Sequence, residues 1–283
     1  MTLRSDRLDS RVRGPLAHGV VSNQDPTAVP STNSALEKHQ QEMFDSMAQA
    51  YEAHYSDEYS LRYRELFLVP PLVKGLSLEG AHVLDALCGS GQMTGFLQAK
   101  GARVTGLDLS PELTERFRKR FPECEVRCGS VLDMSFFPEA HFDHVFITGG
   151  LHHIQPHIDI AVREVARVLK PGGFFCFIEP HRGGWPDLIR RLWYRLDRDH
   201  FEENERSVDV EQLLKTHGSS LTLQSVTYGG GPVYMLVLSS LILRISLWVK
   251  RYYSPLLLQV EKLFRRFHTR RLSCYVVCQL RKI

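Results

Sequence analysis

Between residues 82 and 178 short apolar runs alternate with helix-length amphipathic segments, and this alternation narrows the possible folds more than any other feature of the chain. Residues 82–86, 104–107, 125–128, 142–147 and 174–178 read as strands. Residues 90–100 read as a helix with Met93, Phe96 and Leu97 on one face, closed by Gly101. Ser110 caps a further helix with Pro111 in its first turn, and 158–170 read as a helix stopped by Pro171-Gly172-Gly173. Strands joined by helices predict an α/β, doubly wound, mostly parallel sheet that binds its ligand at the C-terminal strand ends.

The flanks read differently. Residues 1–34 mix Ser, Pro, Asn and Arg without periodicity and lack the apolar core of a secretory signal, so a disordered arm is expected. Residues 35–63 turn helical, with Met43, Phe44, Met47, Ala48, Tyr51 and Tyr55 at three- and four-residue spacing. Beyond Glu179, helices are expected at 186–198 and, behind Ser207, at 208–217, with strands at 221–228 and 273–280. A helical insertion, 229–271, separates those two strands. One domain over 35–283 follows: a cap at 35–75, a ligand-binding core at 76–180 and an acceptor-side part at 181–283. The six cysteines include two pairs four apart, not the CxxC spacing of zinc sites, so reduced thiols in a cytoplasmic protein and no metal are expected.

The chemistry concentrates in Val83-Leu84-Asp85-Ala86-Leu87-Cys88-Gly89-Ser90-Gly91-Gln92. A strand runs into a glycine turn that opens a helix, so backbone N–H groups face a ligand at close range. The acid precedes the glycines, where it would repel a pyrophosphate and attract an ammonium or sulfonium group. Asp108 closes the next strand, where a carboxylate can accept both hydroxyls of a ribose.

In this stretch and the blocks VTGLDLSPE, CGSVLDMSFFPEAHFDHVF, GGLHHI and REVARVLKPGGFFCFIEP, the chain resembles class I S-adenosylmethionine-dependent methyltransferases that act on small molecules. The resemblance spans roughly 40–180 and implies a Rossmann-like sheet of seven strands with S-adenosylmethionine as cofactor. It implies that Asp85 and the backbone of Gly89 and Gly91 hold the methionine end, and that Asp108 takes the ribose with Leu109 beside the adenine. Ser130 and Val131 would face the adenine amine, Thr148 and Gly149 would border the sulfonium, and Tyr51 would close over the cofactor. Two positions depart from the pattern: Leu87 replaces the turn's first glycine, where a positive φ is disfavoured, and Ser130 replaces an acid.

A base is needed only for an undissociated hydroxyl or carbon-acid acceptor. His152, after the fourth strand, and His181, after the fifth, are the candidates, with Glu179 a third that organises the loop. From Arg244 to Ile283 there are ten Lys/Arg and one acid, Glu261, in a chain whose net charge is only +3. The nearly uncharged 232–249 predicts a buried or interfacial helix; the basic, amphipathic 250–271 predicts either a membrane contact or lid, or an ordinary packed helix. No Asn/Asp-Pro-Pro-aromatic motif follows the fourth strand, so nucleic acid is not the expected partner. The expected function is methyl transfer to a small apolar or lipid-linked metabolite, with peripheral membrane contact through 232–271. The alternative is a membrane-associated, non-catalytic cofactor-binding protein of the same fold.

Overall fold

The computed structural model describes residues 32–155, 157–196 and 207–283. The chain opens with α1 (Thr32–Tyr55) and α2 (Glu58–Tyr63), separated where Asp57 accepts the N–H groups of Tyr59 and Ser60 and starts a new helix. A π-helical turn, Arg64–Leu68, leads into α3 (Val69–Leu72). Strands and helices then alternate as β1 (His82–Ala86), α4 (Thr94–Gln98), β2 (Arg103–Asp108), α5 (Pro111–Arg120), β3 (Glu125–Cys128), β4 (Phe142–Thr148), α6 (Ile158–Val168) and β5 (Leu169–Pro180). Next come α7 (Trp185–Leu196), α8 (Val210–His217), β6 (Leu221–Gly229), α9 (Pro232–Val237), α10 (Leu247–Phe264) and β7 (Tyr275–Lys282).

The seven strands form one sheet in the order β3-β2-β1-β4-β5-β7-β6. Pairs from β3 to β5 are parallel, and β7 runs antiparallel to both neighbours. Both faces are covered, which is why the central strands are apolar at nearly every position. Leu84, Val145, Phe175 and Phe177 pack on one side with Val162 and Val165 of α6 and Leu213 of α8. Val83, Phe146, Cys176 and Val277 pack on the other with Tyr63, Phe67 and Leu72 of the cap and Val237 and Leu258 of the insertion. The order reverses between β1 and β4, so the connections leaving those strands diverge and open a crevice at their C-terminal tips.

The predicted strands stand where expected; several helix limits move. The helix expected over 90–100 is only Thr94–Gln98, because Gly89 and Gly91, at φ 55° and 87°, keep the preceding residues in a turn. The helix expected to 170 ends at Val168: Leu169 is extended and pairs with Phe142, so β5 starts before Pro171. Asp209, not Ser207, caps α8, accepting the N–H of Gln212. The apolar run 232–249 is not one helix. It breaks after Val237 through turns that include Arg244 at φ 54°, and Ser246 caps α10 by accepting the N–H of Val249. The cap helix already includes Thr32–Ser34, and the rest of the expected arm, 1–31, lies outside the described residues, as do 197–198 of the helix expected after Pro186.

Candidate active site

The crevice is lined by Leu87 and Gly89 from the turn after β1, by Asp108–Ser110 after β2, by Ser130–Leu132 after β3, and by Gly149, Gly150 and His153 after β4. Helix α1 roofs it with Glu37, Gln40, Phe44 and Tyr51, leaving about 60 Å3 of free volume. The turn is held from within. Cys88 donates its N–H to the Leu107 carbonyl at 3.0 Å, and the Gly89 N–H donates to Asp108 Oδ2 at 2.7 Å. Asp108 Oδ1 accepts the Ser110 N–H at 3.0 Å. Each carboxylate oxygen keeps a lone pair for a ligand hydroxyl. Burial pushes the Asp108 carboxyl above the usual range while these N–H groups hold it down.

Leu87 adopts the left-handed conformation that the sequence disfavours, at φ 55°. Its side chain occupies the space a Cβ on Gly150 would take, 2.5 Å from Leu87 Cδ1, so the glycine after β4 makes room for the leucine after β1. A left-handed leucine costs about 1 kcal/mol, a cost the surrounding packing holds in place. Gly91, at φ 87°, abuts Phe117 and Phe121, and a Cβ there would lie 2.4 Å from the Phe121 ring. Behind the turn, Asp85 is 1% exposed and accepts the Thr94 hydroxyl at 2.7 Å. Burial raises its carboxyl to about 7, against lowering by Thr94 and the positive charge of Arg64.

At the tips of β4 and β5, Glu179 is fully buried and acts as an anion socket turned inside out. It accepts the N–H groups of Gly150 and Leu151, each at 2.8 Å, and His152 Nδ1 lies 2.8 Å from its other oxygen. The carboxylate therefore holds both the loop and the imidazole, Nδ1 being the ring nitrogen that faces it. His153, its ring tilted against His152 with centroids 3.9 Å apart, turns to the crevice and meets Phe44 edge-on.

Residues 84–177 match the family model for the methyltransferase domain. An uncharacterised methyltransferase of Synechocystis sp. is 39% identical over 156 residues, covering 53% of this chain and 72% of the relative. A 2-phytyl-1,4-naphtoquinone methyltransferase of Synechococcus elongatus is 31% identical over 166 residues, covering 55% and 70%. The solved structure of magnesium protoporphyrin IX methyltransferase from Synechocystis with bound S-adenosylhomocysteine superposes with a TM-score of 0.58 at 12% identity, over 88% of this chain and all of that one. The chain is a class I S-adenosylmethionine-dependent methyltransferase. The family model and the methyltransferase relatives support an enzyme.

The methyltransferase brings Tyr51, Gly89, Asp108, Leu109, Ser130, Val131 and Gly149 together around the crevice. Tyr51 Cε1 lies 3.9 Å from where a Cβ on Gly89 would stand, so its ring covers the turn; burial raises its hydroxyl pKa. Asp85, Gly91 and Thr148 stand behind the lining rather than in it. Neither His152 nor His181 is in the crevice lining; of the histidines after β4, His153 is. His181 is buried against Tyr228, ring centroids 4.7 Å apart, with neither ring nitrogen hydrogen-bonded among the described residues, and burial lowers its pKa. Arg270, Asp187 and Asp209 act on it electrostatically, away from the crevice.

Sequence reading missed Glu37 and Arg64. Glu37 hydrogen-bonds the Ser130 hydroxyl, bringing a carboxylate from α1 to the position where Ser130 lacks one. Only the lone Ser for Asp hinted at it. Arg64 sits at the start of the π-helical turn, 7% exposed, with Nε unpartnered among the described residues. A buried guanidinium with one N–H left unpartnered suits an anionic ligand. Buried carboxylates, a buried arginine and a glycine turn together match the charges of S-adenosylmethionine: sulfonium and ammonium positive, carboxylate negative.

Proposed function

We propose that the methyltransferase moves a methyl group to a small apolar or lipid-linked acceptor, a prenylated quinol being the class that suits it best, with His152 as general base. The observation that carries this reading is the Glu179–His152 pair at the tips of β4 and β5. Such a pair is useful only where the acceptor arrives as an undissociated hydroxyl or carbon acid. The apolar acceptor is supported by the relative named for a phytyl naphthoquinone and by the apolar, basic insertion. Segment 232–271 is the peripheral membrane contact of a cytoplasmic enzyme; among the described residues no helix is long and apolar enough to cross a membrane.

When bound, S-adenosylmethionine supplies a methyl group made electrophilic by its sulfonium charge. The chain's residues do the rest by placement. Asp108 would accept the ribose hydroxyls, Leu109 and Val131 would flank the base, and Ser130, whose hydroxyl donates to Glu37, would accept from the adenine amine. Gly89 would face the methionine ammonium with Asp85 and Gly91 behind it, Arg64 would suit its carboxylate, and Gly149, with Thr148 behind it, would border the sulfur. The roof formed by α1 covers this site, where Tyr51 would shield the reacting atoms from water. His152 Nε2 takes the acceptor proton as the acceptor gains the methyl group, and Glu179 stabilises the imidazolium. The test is incubation with S-adenosylmethionine and a panel of demethylated quinols, phenols and amines, following added methyl groups by mass spectrometry. Turnover of quinols is expected; turnover confined to amines, which need no base, would overturn the reading.

A further inference from the structure

Helix α10 has two faces of opposite logic. The inner one carries the polar anchors: Lys250 is buried and donates to Asp57 and, at 2.7 Å, to the Ser60 hydroxyl, and Glu261 accepts from the Tyr63 hydroxyl at 2.8 Å. The outer one carries the grease. Trp248, Tyr252 and Leu256, one helical turn apart, are 64%, 63% and 68% exposed, and Leu263, Phe264 and Phe267 continue the exposure. Trp248 and Tyr252 pack edge to face on each other at 4.9 Å rather than on the domain. Arg251, Lys262, Arg265 and Arg266 stand exposed among them, Arg251 over the Tyr252 ring at 5.5 Å and Arg266 over the Phe267 ring at 5.0 Å.

The patch does not stop at α10. The Trp185 N–H donates to the Arg271 carbonyl at 2.8 Å, which places the exposed Trp185 at the start of α7 beside the exposed Leu272. Beside Pro255 and Lys262 a groove of about 570 Å3 opens, whose far wall adds Arg62 and Arg120 along with Glu58 and Glu65. A soluble surface of this size carries few large apolar side chains in a row. Here they are aromatic, aligned and ringed by cations, the composition of a helix lying at a bilayer interface.

We propose that the outer face of α10, continued by Phe267, Leu272 and Trp185, docks on an anionic lipid bilayer. The indole and phenol rings sit at the headgroup boundary, and the arginines and lysine meet lipid phosphates. Charge selects this occupant, because the exposed cations of the patch have no acidic partner on α10: its one acid, Glu261, faces inward to Tyr63. The buried Lys250 and Glu261 anchors tie the docked helix to α2, immediately before Arg64, so docking holds the active site in a fixed orientation over the membrane. This rests on the peripheral contact proposed above for 232–271 and extends it to a surface and a lipid charge.

The test is flotation of the full chain with phosphatidylcholine vesicles and with vesicles that also contain phosphatidylglycerol. Flotation is expected with the anionic vesicles and little with the neutral ones. The triple variant Trp248→Ser/Tyr252→Ser/Leu256→Ser should stay at the bottom of the gradient. Arg251→Glu/Lys262→Glu/Arg266→Glu should weaken partitioning roughly a hundredfold. Both should bind S-adenosylhomocysteine with unchanged affinity, which shows that they fold. Failure of the intact chain to float, or equal flotation of the serine variant, overturns the proposal. So does a dimer in light scattering that the serine variant makes monomeric, since a second copy then covers the face. Quinol turnover without flotation sinks the docking alone; flotation without quinol turnover sinks the acceptor reading alone.

Discussion

The crevice over β1, β2 and β4 and the outer face of α10 break the same rule in opposite directions. In the crevice, carboxylates that belong in water are buried: Asp85, Asp108 and Glu179. On α10, aromatic and aliphatic side chains that belong in a core are exposed. The buried acids are each stabilised by donors the chain supplies: Thr94 for Asp85, two N–H groups for Asp108, two N–H groups and His152 for Glu179. The exposed rings have no such compensation. A buried polar group must be satisfied inside the fold or it unfolds the chain, whereas an exposed apolar group costs the folded state little and waits for a partner. The first violation is therefore a site already built, and the second a surface completed by something else.

Substitutions should separate the two. The largest effect belongs to Asp108→Ala. It removes the acceptor of the Gly89 and Ser110 N–H groups as well as the ribose ligand, so binding of S-adenosylhomocysteine in calorimetry should fall at least a hundredfold, about 3 kcal/mol. Unchanged affinity would show that the turn stands without the carboxylate. Next comes His152→Ala, expected to lower kcat by roughly 10²–10⁴ with the cofactor Kd unmoved. If His152 is the base, the pH profile of the variant loses its lower limb; a parallel profile at lower height would reduce His152 to a packing role.

Asp85 makes the third case. Its carboxyl, raised to about 7 by burial, is neutral in the free enzyme below that pH. The folded state therefore loses stability as pH rises from about 4 through 7, because the unfolded carboxyl ionises more readily. A bound cation reverses the balance, so cofactor affinity should increase between pH 6 and 8, by about tenfold, and Asp85→Asn should flatten that dependence. A flat wild-type profile would place the ligand's positive charge elsewhere. The smallest effect is at Leu87. Leu87→Val puts a β-branched residue at φ 55° and should destabilise by about 1–2 kcal/mol in thermal unfolding. An unchanged Tm would mean that the turn relaxes out of the left-handed region.

Much of this was legible in the text of the chain. The alternation between residues 82 and 178 determined the sheet, because a strand period followed by a helix period leaves a parallel, doubly wound arrangement as the solution that buries both. Asp85 and Asp108 were marked by position, at strand ends bracketing a glycine turn. What could not be read were contacts across long stretches of sequence. Glu37 reaches Ser130 from α1, and Gly150 yields the space that lets Leu87 take a positive φ. Arg64 is buried at the start of the π-helical turn after α2, which no local pattern marks.

The helical limits failed for a related reason. Apolarity alone made 232–249 look continuous, while α9 ends at Val237 and a new helix starts only where Ser246 caps α10. Sequence periodicity announced that α10 has an apolar and a basic character, but only the tertiary structure decided that Lys250 and Glu261 turn inward and Trp248, Tyr252 and Leu256 outward. A pattern along one helix records which residues share a face. Which face meets the domain depends on the partners folded against it, and those come from α2, nearly two hundred residues before it, and from α9, just before it.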